Sequence, residues 1–129
     1  MKLVRQLHEN GCGPACIAMI LDINYKYAVE KFINDFSIKG INHLHLLKIL
    51  MEEGYAVIEK YGKVQPFAPI HLCQIILNSS KRHFVIMSED GLILDPLFDE
   101  TQKLNNYTVE ITFGLWKVID MQNIGNLQV

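Results

Sequence analysis

RHFVIMSEDGLILDP, residues 82–96, contains two β-rich runs, HFVIM and LILDP, separated by a loop that ends on Asp90-Gly91. Asp-Gly between apolar runs is a strong short-range hairpin signal, so these runs read as neighbouring antiparallel strands. The register of that hairpin decides which side chains share a face. If Asp90-Gly91 is a two-residue turn, Glu89 faces Leu92, and His83 and Asp95 point to opposite faces. If the loop is Glu89-Asp90-Gly91, Gly91 takes the left-handed position of a G1 bulge. Ser88 then faces Leu92, Val85 faces Asp95, and His83 becomes a diagonal, same-face neighbour of Asp95. The residues permit the second register without forcing it.

Strand-like texture extends on both sides of this hairpin. Upstream lie residues 71–77 (HLCQIIL) and 55–60 (YAVIEK), punctuated by Asn78-Ser79-Ser80, Gly62 and the Pro66-Phe67-Ala68-Pro69 turn. Downstream, residues 107–121 are β-branched and aromatic. The first part of the chain reads differently. From Gly13 to about Asp22 it is almost wholly apolar with helical character, and Pro14 sits in the first turn, where a missing N–H costs nothing. A helix apolar all round is normally buried. Residues 25–36 carry Ala28, Val29, Phe32, Ile33 and Phe36 at helical spacing. A third helix opens at Asn42 or His43 and closes before Gly54. Helices first and strands afterwards predict an α+β fold, with N-terminal helices packed on a C-terminal antiparallel sheet. The length suits one domain spanning residues 1–129.

Composition narrows the function classes. The chain is 50% hydrophobic and 20% charged, with a formal net charge of −2, which lacks the basic footprint of a nucleic-acid binder. The polar N-terminus lacks the apolar run of about 7–15 residues that a signal peptide needs. No window approaches the ~20 apolar residues of a membrane span. Three cysteines are an odd number, and without a secretion signal they read as reduced thiols in a cytoplasmic protein.

Those cysteines differ in setting. Cys12 lies where a polar loop meets the start of the apolar helix, flanked by Gly11 and Gly13, whose lack of side chains leaves approach open. Unpaired backbone N–H groups and the positive end of the helix dipole favour a thiolate at such a place. Cys16, one turn deeper, and Cys73, inside HLCQIIL, read as small core residues. The spacing of Cys12 and Cys16 does not match a redox pair. Metal binding is not indicated either: His43 and His45 diverge on a helix, and His71 with Cys73 has no second pair at ligand spacing. No metal or cofactor is expected. A nucleophilic Cys12 needs a histidine oriented by a carboxylate or amide, brought close by the fold. Of the five histidines, only His83 has such a group in prospect, namely Asp95. A structural histidine at the head of a strand is the rival reading.

Gln6, then Cys12-Gly13-Pro14-Ala15-Cys16 with Ile17-Ala18-Met19-Ile20, then His83-Phe84-Val85, then Asp95-Pro96 resemble the double-glycine leader peptidases. These are bacteriocin-processing, papain-like cysteine peptidases, often the N-terminal domain of peptide-exporting ABC transporters. Glu110, Phe113 and Trp116 resemble the closing stretch of that family, so the likeness runs from Gln6 to about Met121. It implies a papain-like fold, with Cys12 as nucleophile, His83 as general base, and Asp95 orienting the imidazole. Gln6 would supply the side-chain donor of an oxyanion hole beside the Cys12 N–H. The resemblance also implies a short helix over residues 108–113, against the strand character of those residues, with the strand starting near Leu115. Asn10-Gly11 departs from the acidic residue common before the cysteine, and the interval from His83 to Asp95 is compact. The chain also carries no membrane span or ATPase, from which a free-standing enzyme is expected. A transporter or accessory protein remains a candidate partner.

These residues imply hydrolysis of a peptide substrate through a thioester at Cys12, after Gly-Gly if the specificity of the family carries over. Two rivals stand beside it. The same triad could serve deamidation, transglutamination or acyl transfer. Alternatively the domain could bind leader peptides or a partner without catalysis, as family members lacking the cysteine do.

Overall fold

The computed structural model describes residues 1–32, 42–78 and 81–118. Three helices come first: α1 (Cys12–Leu21), α2 (Tyr25–Lys31) and α3 (His43–Glu52). Six strands follow: β1 (Tyr55–Tyr61), β2 (Ile70–Asn78), β3 (Lys81–Ser88), β4 (Leu92–Leu94), β5 (Gln102–Lys103) and β6 (Thr108–Lys117). They form one sheet in the order β1-β6-β2-β3-β4-β5, and every pairing is antiparallel. The α+β architecture read from the order of elements is the one observed.

Local chemistry explains where the helices begin and end. Asn24 caps α2 by accepting from the Tyr27 N–H at 2.7 Å, and Asn42 caps α3 by accepting from the His45 N–H at 3.1 Å. α1 has no side-chain cap, and it ends at Asp22 in the left-handed conformation. Gly13 through Ile20 are all buried, as an all-round apolar helix requires. Of the expected second helix, Ile33 and Phe36 lie outside the described residues, as do residues 119–121 of the expected last strand.

The sheet is apolar on both faces. On one side Leu72, Phe84, Ile86, Leu94, Ile111, Phe113 and Leu115 join α1, Ala28 of α2, and Leu46, Ile49 and Leu50 of α3 in the main core. On the other, Cys73, Ile75, Val85, Met87, Ile93 and Val109 form a second cluster over which Leu104 and Tyr107 pack. Alternation along β2 and β3 sends successive residues to the two clusters, which is the period-2 rule applied to strands buried on both sides.

One expectation is overturned. Residues 108–113 are not a short helix; β6 runs unbroken from Thr108 to Lys117. Of the β-branched residues here, Ile111 and Thr112 pair with both β1 and β2, and Thr108 and Val109 pair with β2, so their own preference and their backbone partners agree. The only helical turn nearby is a 3-10 turn at Leu104–Asn106, just upstream. A bulge at Glu110, between the pairs Gln74↔Ile111 and Ile75↔Val109, interrupts the ladder with β2. There Glu110 accepts from Gln74 Nε2 and from both Arg82 Nε and Nη2.

Candidate active site

The β3–β4 hairpin sets the first half of the site. Ile86 pairs with Leu94 and Met87 with Ile93, so the loop is Glu89-Asp90-Gly91. Gly91 has φ +87° and its N–H donates to the Ser88 carbonyl at 3.0 Å. That left-handed conformation is what the third loop position requires, and glycine adopts it at little cost. Continuing the register by one pair sets Val85 across from Asp95, with His83 diagonal to Asp95 on one face. The two side chains meet: His83 Nε2 lies 2.7 Å from Asp95 Oδ1, both groups buried.

Asp95 is fully engaged. Besides His83, it accepts from the Leu97 N–H at 3.0 Å and from the Tyr107 hydroxyl at 2.8 Å. Burial works against its charge, but the bonds from His83, Leu97 and Tyr107 outweigh it and hold the carboxyl below its ordinary range. Burial and the adjacent carboxylate together push the Tyr107 hydroxyl far up, so it stays a proton donor. Tyr107 is the member of this group that no sequence signal revealed. It reaches Asp95 from the far side of the 3-10 turn, in a contact that spacing along the chain does not encode.

The second half comes from α1. Cys12 is its first residue and is half-buried, and it lies near enough to His83 to favour the protonated imidazole. With Nε2 committed to Asp95, Nδ1 is the ring nitrogen left for the thiol. Burial disfavours a charged His83, yet the hydrogen bonds to Asp95 and Cys12 and their charges prevail, raising its pKa from 6.5 to about 9. Cys12, the His83–Asp95 pair and the head of α1 therefore come together at one place, and both Asp95 and Cys12 favour an imidazole that carries its proton at neutral pH. This arrangement suits a thiolate–imidazolium nucleophile.

Gln6 lies in the segment leading to Cys12. Its backbone N–H donates to the Pro96 carbonyl at 3.0 Å, and Arg5 Nε donates to the same oxygen at 3.2 Å. This ties the N-terminal strand of chain to the Asp95-Pro96 corner. The side-chain amide is turned onto its own loop: Nε2 donates to the His8 and Glu9 carbonyls at 2.9 and 3.0 Å. Both amide protons are thus in use, while Oε1 is buried without a partner. The structure brings Cys12, His83 and Asp95 together and places Gln6 beside them with its donors held by loop carbonyls.

The remaining sulfur and imidazole groups lie apart from this line. Cys16 and Cys73 are wholly buried, and burial first of all pushes both thiols up, Cys73 to about 12. His71 is buried among backbone groups, His43 stacks on Phe113, and His8 stacks on Tyr25. A cavity of about 430 Å³ lined by Pro66, Phe67, Ala68, Pro69, Glu89 and Trp116 opens at the opposite end of β3 from His83.

Comparison with known proteins gives a consistent picture. A model of the peptidase C39 family matches residues 1–116. The peptidase domain of Streptococcus ComA, a bi-functional ABC transporter involved in a quorum-sensing pathway, has a similar structure. It superposes with a TM-score of 0.68 at 16% identity, over 90% of this chain and 98% of that one. The peptidase domain of Streptococcus mutans ComA, in complex with a small-molecule inhibitor, superposes at 0.65 and 14% identity, over 90% and 99% of the two chains. No curated protein matches the sequence.

Proposed function

Because the chain belongs to the peptidase C39 family, a family of cysteine peptidases, we propose that it hydrolyses a peptide bond through a thioester at Cys12. The observation that carries this reading is buried His83, hydrogen-bonded to Asp95 and close to Cys12 at the head of α1. With the proton already on His83, the Cys12 thiolate adds to the substrate carbonyl carbon to give a tetrahedral oxyanion. That oxyanion collapses, the C–N bond breaks, and the departing amine takes the proton from the imidazolium. Water, giving its proton to His83, then attacks the thioester; the acid leaves and the thiolate–imidazolium pair is restored.

Asp95 keeps the imidazole in one orientation and stabilises its charge throughout. For the oxyanion, the backbone N–H of Cys12, at a helix start where such groups have no intrahelical partner, is one donor. Gln6 is the other. The carbonyls of His8 and Glu9 now hold its two protons, and the oxyanion takes over one of them. A donor aimed at the developing charge is worth on the order of 3 kcal/mol. The substrate is an extended peptide lying between the helices and the sheet, with the Gly-Gly of a leader sequence at the cleavage point. A peptide exporter is the partner that fits, by analogy with the ABC transporter ComA.

Two measurements test the reading. Iodoacetamide near neutral pH is expected to label Cys12 faster than a free thiol, and His83→Ala to abolish that advantage. A synthetic peptide with a Gly-Gly leader should yield two fragments by mass spectrometry. An intact peptide heavier by about one mass unit would instead indicate deamidation through the same thioester. An unreactive Cys12 would overturn the activated nucleophile.

A further inference from the structure

Tyr25 opens α2, far from β3 in the chain, yet its hydroxyl lies at the centre of the loop that leads to Cys12. The residue is buried. His8 Nδ1 lies 2.8 Å from its oxygen. The imidazole of His8 also stacks on the ring, with centroids 5.6 Å apart. On the other flank the hydroxyl presses against Gly11: a Cβ there would fall 2.3 Å from Oη. Only glycine permits so close an approach without displacing the hydroxyl. One oxygen thus touches His8 and Gly11, two positions of the loop between Gln6 and Cys12.

What this loop holds matters for the proposed reaction. The His8 carbonyl accepts both from Gln6 Nε2 at 2.9 Å and from the Gly11 N–H at 3.0 Å. The position of Gln6 and the start of α1 are therefore both referred to His8, and His8 is referred to Tyr25. Burial raises the pKa of Tyr25, so the hydroxyl keeps its proton in the neutral range.

We propose that Tyr25 is a positioning residue: its hydroxyl holds the loop from His8 to Gly11 so that the Gln6 amide and the Cys12 N–H converge on one substrate oxygen. This rests on the peptidase reading above, and on Gln6 as an oxyanion donor within it. Tyr25 touches neither substrate nor thiol in this role; it acts through the loop backbone. The proposal separates two properties that share Cys12. Alkylation by iodoacetamide needs the thiolate but no oxyanion hole, whereas peptide hydrolysis needs both.

The test is Tyr25→Phe, which removes one oxygen and keeps the buried ring. With the synthetic Gly-Gly leader peptide, kcat is expected to fall about tenfold or more, with KM within twofold of the wild type. The alkylation rate of Cys12 should stay within twofold. A kcat within twofold of wild type would overturn the proposal. So would equal losses in hydrolysis and alkylation, which would show the hydroxyl acting on the fold as a whole. If the wild-type chain alkylates rapidly but leaves the peptide uncut, the peptidase reading itself fails, and this role with it.

Discussion

His71 and His83 lie on adjacent strands of one sheet, both buried, and their environments drive them to opposite charge states. His71, on β2, accepts at Nε2 from the Phe67 and Ala68 N–H groups at 2.9 and 3.0 Å and donates from Nδ1 to the Met87 carbonyl at 3.0 Å. No carboxylate is among its hydrogen-bond partners, and burial lowers its pKa against a small opposing effect of Met87. His83, on β3, meets the same opposition from burial, but Asp95 and Cys12 reverse it. The partner, not the depth, decides whether a buried imidazole is a turn-holding neutral group or a poised acid. A protonated His71 would set a third proton against two donors, so its neutrality is built into the Pro66–Pro69 turn.

Substitutions can break this contrast. His83→Ala should have the largest effect, lowering peptide hydrolysis by about 10³-fold or more, read as kcat on the leader peptide with folding checked by circular dichroism. Asp95→Asn keeps the shape but removes the charge that holds the imidazolium, and a loss of about 10²-fold is expected. An Asp95→Asn enzyme with wild-type kcat would reduce Asp95 to a structural group. His71→Ala should behave the other way. It leaves the Phe67 and Ala68 N–H groups without their acceptor, costing about 2–4 kcal/mol of stability in denaturant titration, while kcat per folded molecule stays near wild type. Tyr107→Phe sharpens the picture at the small end: losing one bond to Asp95 should lower kcat about 3–10-fold.

The pH dependence of stability should separate the two histidines by sign. His83 has a folded pKa of about 9 against 6.5 unfolded. Its contribution is complete below pH 6.5 and is lost as pH rises through about 9. His71 has a lowered folded pKa, so its contribution is present above 6.5 and is lost as pH falls below that value. Comparing the wild type with His83→Ala should therefore show a stability gap that closes toward alkaline pH. With His71→Ala the gap should close toward acid. Gaps that close in the same direction would contradict the opposite charge states.

Much of this was legible in the chain because it depends on local signals. Asp90-Gly91 marked the hairpin and left two registers open, one of which puts His83 and Asp95 on a common face, and the all-round apolar run after Gly13 located the buried helix. β6 was legible in its β-branched residues, and only the likeness to relatives argued otherwise. Contacts made by single atoms across the fold were not legible. The Tyr107 hydroxyl on Asp95, the Tyr25 hydroxyl under the Gln6 loop and the His71 ring beneath Phe67 have no periodicity and no spacing. They follow from where the backbone has already gone. The amide of Gln6 belongs with them: the interval to Cys12 marked its place, but the chain did not reveal that its protons would be spent on carbonyls two and three residues ahead.

The two deeply buried cysteines carry a practical consequence. Cys16 and Cys73 have no exposed surface and strongly raised pKa values, while Cys12 is half-open. Of the three sulfurs in the chain, the native molecule offers one to a thiol reagent in water. Complete unfolding offers all of them. The ratio of thiols counted before and after denaturation is therefore an internal gauge of how many molecules in a preparation are folded, and the protein carries that gauge without a label.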